Sequence, residues 1–318
     1  MAGMALEKTW VVSEYTADLG TSALNCAMAL FQVKEAMKAH GWTVSTSSDG
    51  VAGGSVTGDN WIDAGDVVWA ASSNHSWIVM TNAAISANFA ICIDCLYAEK
   101  TSISVYCTSA GYNGDGTKSS RPTAVSNEVT LRAGAYCTSV TTPMSFMCFT
   151  STDYQCTRIC LLYGTYTCLW IFDVPKQPPS WWTTPYVAFV QASSKILDMT
   201  TLSSATDMGV RGRLSATTFN ISFGGVGGAS GLIGSLYFGY GCSYAGGFPL
   251  CNVSLISLSS AVPGFLGYLY DMYWTSIAFA VTYPKPIGYL PSAASTKGFI
   301  MLGQLAVGND GNVHGGNF

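Results

Sequence analysis

The chain has 318 residues, 49% of them hydrophobic, with 9 Trp, 17 Tyr and 14 Phe, which argues against disorder and suffices for one large or two ordinary domains. Only 10% of residues are Asp, Glu, Lys or Arg, against about 25% in ordinary soluble domains, where such groups keep a lone globule hydrated and apart from its copies. The net charge of -4, with 14 scattered basic residues, argues against a phosphate-binding nucleic-acid surface; the shortage of charge points instead to large interfaces with other protein.

At the start, Glu7 and Lys8 interrupt the chain and Trp10-Val11-Val12 is too short an apolar run for a secretory signal. Trp10 to Ser13 predicts a strand. One amphipathic helix follows over about residues 21–40, with Thr21 or Ser22 as its cap. Leu24, Ala27, Met28, Leu30, Phe31, Val33 and Met37 form its apolar face; Lys34, Glu35 and Lys38 form its wet side. Gly41 ends the helix, and Trp42-Thr43-Val44 resumes as a strand.

Most of the remainder reads as β. Short β-branched or aromatic runs predict strands at Val67 to Ala71, Ser76 to Thr81, Phe89 to Tyr97, Ser102 to Thr108 and Glu128 to Arg132. Ser47-Ser48-Asp49-Gly50 and Asn113-Gly114-Asp115-Gly116 carry hairpin-turn chemistry. Further strands are predicted at Ser145 to Thr150, Arg158 to Tyr163, Tyr166 to Phe172, Tyr186 to Gln191, Thr217 to Phe223, Ser235 to Tyr240 and Asn252 to Leu258. Pro175 to Pro185 is a stiff, aromatic connector, Gly224 to Gly234 a flexible loop, and Gly308 to Phe318 an arm outside the core. The apolar stretch Phe265 to Tyr283 nearly reaches spanning length. Asp271 inside it, the tyrosines along it and the flanking Pro263, Pro284 and Pro286 favour two strands joined by a turn, so no membrane span is expected. The expected fold is α+β and predominantly β, with antiparallel sheets in a sandwich, an N-terminal α+β domain over 1–135 and a β-rich domain over 136–318.

Catalytic signals are few, and no enzymatic activity or cofactor is expected. His40, His75 and His314 belong to no metal-binding or nucleophile motif. His40 sits at a helix end, where a cation or hydrogen-bond donor is favoured. Asp59, Asp63 and Asp66 lack the alternating spacing of a calcium loop and read as a solvated segment. Gly225 to Ser230 brushes against a dinucleotide fingerprint but no helix pattern follows it. The three Asn-x-Ser sequons, at Asn74, Asn220 and Asn252, arise readily in a Ser-rich chain.

Eleven cysteines cannot all pair within one chain. Beside Cys26, they are Cys92, Cys95, Cys107, Cys137, Cys148, Cys156, Cys160, Cys168, Cys242 and Cys251, and these ten are candidates for disulfides, including bonds between subunits. Cys92-Ile93-Asp94-Cys95 has zinc-knuckle spacing, but a strand through it would point the two thiols to opposite faces. Buried thiols acting as small hydrophobes are the competing reading. Trp181, Trp182 and Tyr186, in or beside the Pro-rich connector, are candidate interface aromatics.

Trp10-Val11-Val12, then Ala39-His40-Gly41-Trp42-Thr43-Val44 and Ser47-Ser48-Asp49-Gly50, resemble the start of a loosely defined set of tailed-bacteriophage virion proteins. Ser76-Trp77-Ile78-Val79, Gly111-Tyr112-Asn113-Gly114, Arg121-Pro122-Thr123-Ala124, Pro286-Ile287-Gly288 and Lys297-Gly298-Phe299 continue the likeness, which is patterned rather than motif-exact and covers the first 130 residues best. The resemblance implies a structural virion protein, assembled in the bacterial cytoplasm. Its partners would be itself, as a homo-oligomer, and other virion proteins, with no catalytic residue to carry over. A ring-forming or sheath-like neck or collar subunit is the first expectation, with tail, baseplate or capsid decoration next. A receptor- or glycan-binding fibre module is the alternative. The cysteine content departs from that set and raises the expectation of a cross-linked particle.

Overall fold

The computed structural model describes residues 7–17, 24–50, 55–61, 75–96, 102–135, 144–163, 166–193, 211–214, 217–224, 250–257, 264–275, 285–287, 298–302 and 305–309. The elements in chain order are β1 (Trp10–Ala17), α1 (Leu24–Ala39), β2 (Thr43–Ser48), β3 (His75–Thr81), β4 (Ala90–Leu96), β5 (Ser102–Thr108), β6 (Val129–Ala135), β7 (Met144–Ser151), β8 (Cys156–Tyr163) and β9 (Tyr166–Asp173). There follow β10 (Val187–Ser193), β11 (Arg211–Leu214), β12 (Thr217–Gly224), β13 (Leu250–Ser257), β14 (Gly264–Thr275), β15 (Lys285–Ile287), β16 (Gly298–Leu302) and β17 (Leu305–Asn309). The protein is α+β and predominantly β, with antiparallel strand pairs throughout the described ladders. The strands predicted at 67–71 and 235–240 and the caps at Thr21 or Ser22 lie outside the described residues, as do Asp63, Asp66 and the loop 225–234.

The chain forms two compact units: a continuous one, Tyr15–Cys148, and a split one that joins Met1–Glu14 to Phe149–Phe318. A cut at residue 135 would assign the leading segment to the first of them; its contacts, described below, are with residues beyond 149.

In the continuous unit, α1 closes as the sequence predicts. Gly41 has φ 87°, the amide of Trp42 donates to the carbonyl of Met37 and that of Gly41 to Lys38, the reciprocal bonding of a Schellman end. Leu30, Val33, Ala36 and Met37 are its buried stripe. The sheet runs β2-β3-β4-β5-β6. Ser76 to Met80 and Ala90 to Cys95 are buried without alternation, because these central strands are covered on both faces. On one face Trp77, Val79, Ala90 and Cys92 pack with Val56, Tyr106 and Tyr112. The long β5–β6 connection lies over that face: the indole Nε1 of Trp77 donates to the Thr117 carbonyl at 2.7 Å, and a Cβ on Gly116 would meet the indole at 2.8 Å. The tight turn of this connection is at Thr117–Ser120, whose amides and carbonyls bond reciprocally. Asn113 to Gly116 instead runs within the loop, bonded to Thr123, so turn chemistry there marks a bend rather than a hairpin. Ser47-Ser48 ends β2, and Gly50 adopts φ 79° without joining β2 directly to β3.

The second sheet has twelve strands in the order β1-β7-β8-β9-β10-β11-β12-β13-β14-β17-β16-β15. Trp170 to Asp173 and Tyr186 to Val190 are buried on both faces. Residues 265–275 of the apolar run lie in the 12-residue β14, and the remainder, where the expected turn and second strand would fall, lies outside the described residues. The ladder between β13 and β14 is irregular: Ser254 pairs with Tyr268 while Asn252 pairs with Tyr273, so Leu269 to Met272 bulge out opposite Val253 alone. Asp271 at the bulge holds φ 47°, in the left-handed region. Beside it, Lys176 of the Pro-rich connector and Tyr268 exchange both backbone hydrogen bonds, at 2.8 and 2.9 Å.

That pairing depends on Gly267, which has φ 117° and no room for a side chain, since an added Cβ would land on the Lys176 carbonyl oxygen. Gly267→Ala is expected to cost at least about 1–3 kcal/mol, read as a lower denaturation midpoint. Unchanged stability would show that the connector does not lie against β14.

Candidate functional site

The most developed polar site lies in the split unit and is built by strand register. Arg158 of β8 faces Ile171 of β9, and Asp173, two residues on, projects from the same face. Both side chains are fully buried. Arg158 donates from Nε and Nη2 to Oδ2 of Asp173 at 2.9 and 2.6 Å, and from Nη2 to the Tyr270 carbonyl at 2.5 Å. Its guanidinium carbon lies 4.5 Å from the ring centroid of Trp10, a desolvated cation–π contact.

Trp10 then hands the network to the β14 bulge. Its Nε1 donates to Oδ2 of Asp271 at 2.8 Å, while the amides of Glu7 and Lys8 donate to Oδ1 and Oδ2, each at 2.9 Å. Asp271 is thus a buried carboxylate holding three donors of the leading segment. Lys8 lies 4.6 Å from the Tyr270 ring centroid and bonds Asp153 and, at 3.0 Å, Gln155. Burial opposes the charge on Lys8, but its surroundings, the Asp153 contact foremost, together raise its pKa; burial would likewise raise Asp153, but its bonds from Lys8, Ser151 and the Gln155 amide hold it below the usual carboxylate range. Glu7 pairs with Lys176, and the Thr152 amide donates to the Thr9 carbonyl.

In the continuous unit, two ion-pair clusters brace the sheet and helix. Lys34, assigned to the wet side of α1 by helical period, is buried instead: it bonds Asp59 at 3.0 and 3.1 Å, Glu35 at 2.9 Å and the Trp61 carbonyl, because the segment 55–61 folds over it. That segment is pinned by Asn60 Nδ2 to the Ser47 carbonyl and Trp61 Nε1 to the Ser48 carbonyl. Asp59 is therefore an ion-paired carboxylate and not a solvated one. Arg121 makes a two-pronged contact with Glu128 at 2.5 and 2.8 Å and stacks 3.7 Å from the Tyr106 centroid.

These arrangements hold the chain together. Among the described residues no group of three or more His, Cys, Asp or Glu is placed to hold a metal ion. Cys92 and Cys95 oppose Tyr106 and Ile103 in the β4–β5 ladder, on opposite faces as strand parity requires. Cys92, Cys95, Cys107, Cys148 and Cys156 are all buried and in no disulfide. For these five the cross-linking expectation is corrected: a thiol sealed in its own core cannot meet one on a neighbour. Burial pushes the Cys92 and Cys156 thiols well above their ordinary pKa, which also removes the reactive thiolate. Cys137 and Cys242 lie outside the described residues, and the side chains of Cys160, Cys168 and Cys251 are likewise outside them.

The aromatic candidates separate. Tyr186 is fully buried and Trp182 is 2% exposed, so both belong to the core and not to an interface. Trp181 is 43% exposed and stacks on Trp182 with centroids 6.5 Å apart. Phe265, which the residue pattern did not single out, is 46% exposed and meets Tyr268 edge-on at 4.7 Å.

His40, at the helix end where a cation or donor is favoured, is buried, and burial lowers its pKa and so disfavours the cation. Burial would raise the carboxyls of Asp59 and Glu35, but their lysine partners hold both below the usual range. Each of these shifts stabilises the fold above the unfolded pKa and is lost as pH falls. The continuous unit is expected to weaken first below about pH 6.5, as His40 protonates, and again below about pH 4, as Asp59 and Glu35 do. A urea-midpoint series against pH checks this; His40→Gln should flatten the upper step alone, and an unaltered profile would contradict it.

No helix of the described residues is long and apolar enough to cross a membrane. No family model matches the chain, and no curated protein matches it.

Proposed function

We propose that this chain is a structural subunit of a tailed-phage virion, built into the neck or collar as a ring or sheath through contacts with its own copies and with other virion proteins. The observation that carries the reading is how the few charges are spent. Lys34, Asp94, Arg158, Asp173 and Asp271 are buried, and Lys8, Lys38, Arg121 and Lys176 are engaged by carboxylates. The charge left to keep copies apart is smaller than the 10% composition implies. Trp181, Phe265, Tyr154 and Val125 meanwhile stand exposed. Tail, baseplate and capsid decoration positions share this physics.

Covalent locking of the particle would fall to Cys137, Cys160, Cys168, Cys242 or Cys251 rather than to the five buried thiols. Electrophoresis of intact particles with and without reductant reads it: a monomer band in both lanes removes cross-links between subunits.

The experiment that tests the main reading is immunogold imaging of particles with an antibody to this chain, joined to sedimentation of the purified protein. Label at a fixed position and a defined oligomer support it; a soluble monomer absent from every particle overturns it. A second reading, a glycan-binding fibre module, draws on the half-exposed Trp181 face backed by Trp182, a geometry that stacks on sugar rings. Saturable glycan-array binding abolished by Trp181→Ala would favour it.

A further inference from the structure

We propose that residues 7–13 are the link between copies: the leading segment of one molecule fills the acceptor site of the split unit in a second copy of this chain. The inference rests on the assembly reading above and names the contact that would perform it.

The split unit is interrupted in sequence by the whole continuous unit, so its leading segment is joined to residues 149–318 only through Tyr15–Cys148. The segment is nevertheless integral to the core it joins. Trp10 and Val12 are fully buried. Three of its N–H groups satisfy Asp271, and its indole covers Arg158. Lys8 adds Asp153 and Gln155, Glu7 adds Lys176, and the Thr9 carbonyl accepts the Thr152 amide. Its partners lie from 143 positions away (Thr9 to Thr152) to 264 (Glu7 to Asp271) along the chain.

Without the segment, the acceptor is an unsatisfied site of defined chemistry. A carboxylate only 1% exposed would lose three donors, and the buried guanidinium would lose the ring that covers it. Leaving such groups bare costs about 1–3 kcal/mol each, more when charged. The occupant that satisfies them must present two successive backbone amides, an indole N–H and an apolar side chain two residues later. Glu7-Lys8-Thr9-Trp10-Val11-Val12 does so, and a second copy carries it at no cost in new contacts. Exchange of an identical element is the low-cost route to linked copies. Because each copy both gives and accepts, the exchange closes a pair or continues around a ring according to the angle between successive copies. The scarcity of exposed charge leaves little repulsion against that approach.

The test uses two full-length chains of different tag mass, one carrying Thr9→Cys and the other Thr152→Cys, co-expressed and oxidised. Both positions are exposed, and the Thr152 amide donates to the Thr9 carbonyl at 2.9 Å, so the two backbones run side by side at the point chosen for the cross-link. Exchange predicts a reductant-sensitive band at the summed mass of the two chains, absent when either variant is paired with the unsubstituted chain. The double variant Thr9→Cys/Thr152→Cys supplies the counterpart. If it closes on itself at monomer mass while the mixed sample yields no hybrid band, the segment folds back on its own chain and the proposal is overturned. Absence of any cross-link in either sample overturns it as well, since the segment then does not occupy the site. Sedimentation of the unsubstituted protein separates the two levels: an oligomer without hybrid cross-links sinks the exchange and leaves the assembly reading standing, whereas a monomer sinks both.

Discussion

Asp173→Ala is expected to destabilise the split unit by about 3–5 kcal/mol, because it leaves Arg158 charged and unpaired in a fully desolvated position. Arginine cannot escape by losing its proton, so the strand must open or admit water. Hydrogen exchange on the full-length protein is the appropriate measurement. Protection should fall across β8, β9 and β10, while β3 and β4 of the other unit keep theirs. Replacing both partners, with Arg158→Met and Asp173→Leu, should recover much of the loss, since an apolar pair of similar volume pays no desolvation. A single-variant cost under about 1 kcal/mol would show that the pair is hydrated in solution.

Trp77→Ala should be comparably severe in the continuous unit, at about 3–5 kcal/mol. The side chain is fully buried against Val79, Ala90 and Cys92, and its N–H carries the Thr117 carbonyl. Truncation empties the space between the sheet face and the β5–β6 connection and frees the loop at once. Trp77→Phe retains most of the packing and should cost clearly less, the difference measuring the hydrogen bond and the lost ring. Amides around Thr117 and Ser120 should exchange faster in both variants; if they keep full protection, the loop is not held by this indole.

How much of this was legible in the sequence depended on distance along the chain. α1, its Gly41 end and most strands from β3 to β10 followed from local runs, because a strand buried on both faces must be apolar throughout, as Trp77-Ile78-Val79-Met80 is. β11, β15 and β16 escaped: Arg211-Gly212-Arg213-Leu214 is short and charged, and Lys285-Pro286-Ile287 begins with residues poor in strand propensity. β17 reaches into the stretch read as an arm, since pairing with β14 and β16 overrides the glycine at 308.

The polar site was harder to read. Lys34 is wet by helical period, and only the fold of 55–61 across it makes it buried. Asp271 signalled merely that the apolar run was no membrane span; its donors lie over 260 positions away, and no local pattern announces them. A usable signal did exist for Arg158. A single cation within Cys156-Thr157-Arg158-Ile159-Cys160-Leu161, in a strand otherwise apolar, requires a carboxylate on the same face of the next strand, and Asp173 stands at that parity.

The bulge at Leu269–Met272 also sets a clock. At about 5–20 residues per second on the ribosome, Trp10 would be made about 13–50 s before Asp271, 261 positions later. Throughout that interval the continuous unit can complete itself, while Trp10 and Val12 remain without the pocket that will receive them. Polysomes on one message hold many nascent chains at staggered stages, so an earlier chain's finished pocket can stand beside a later chain's waiting tryptophan.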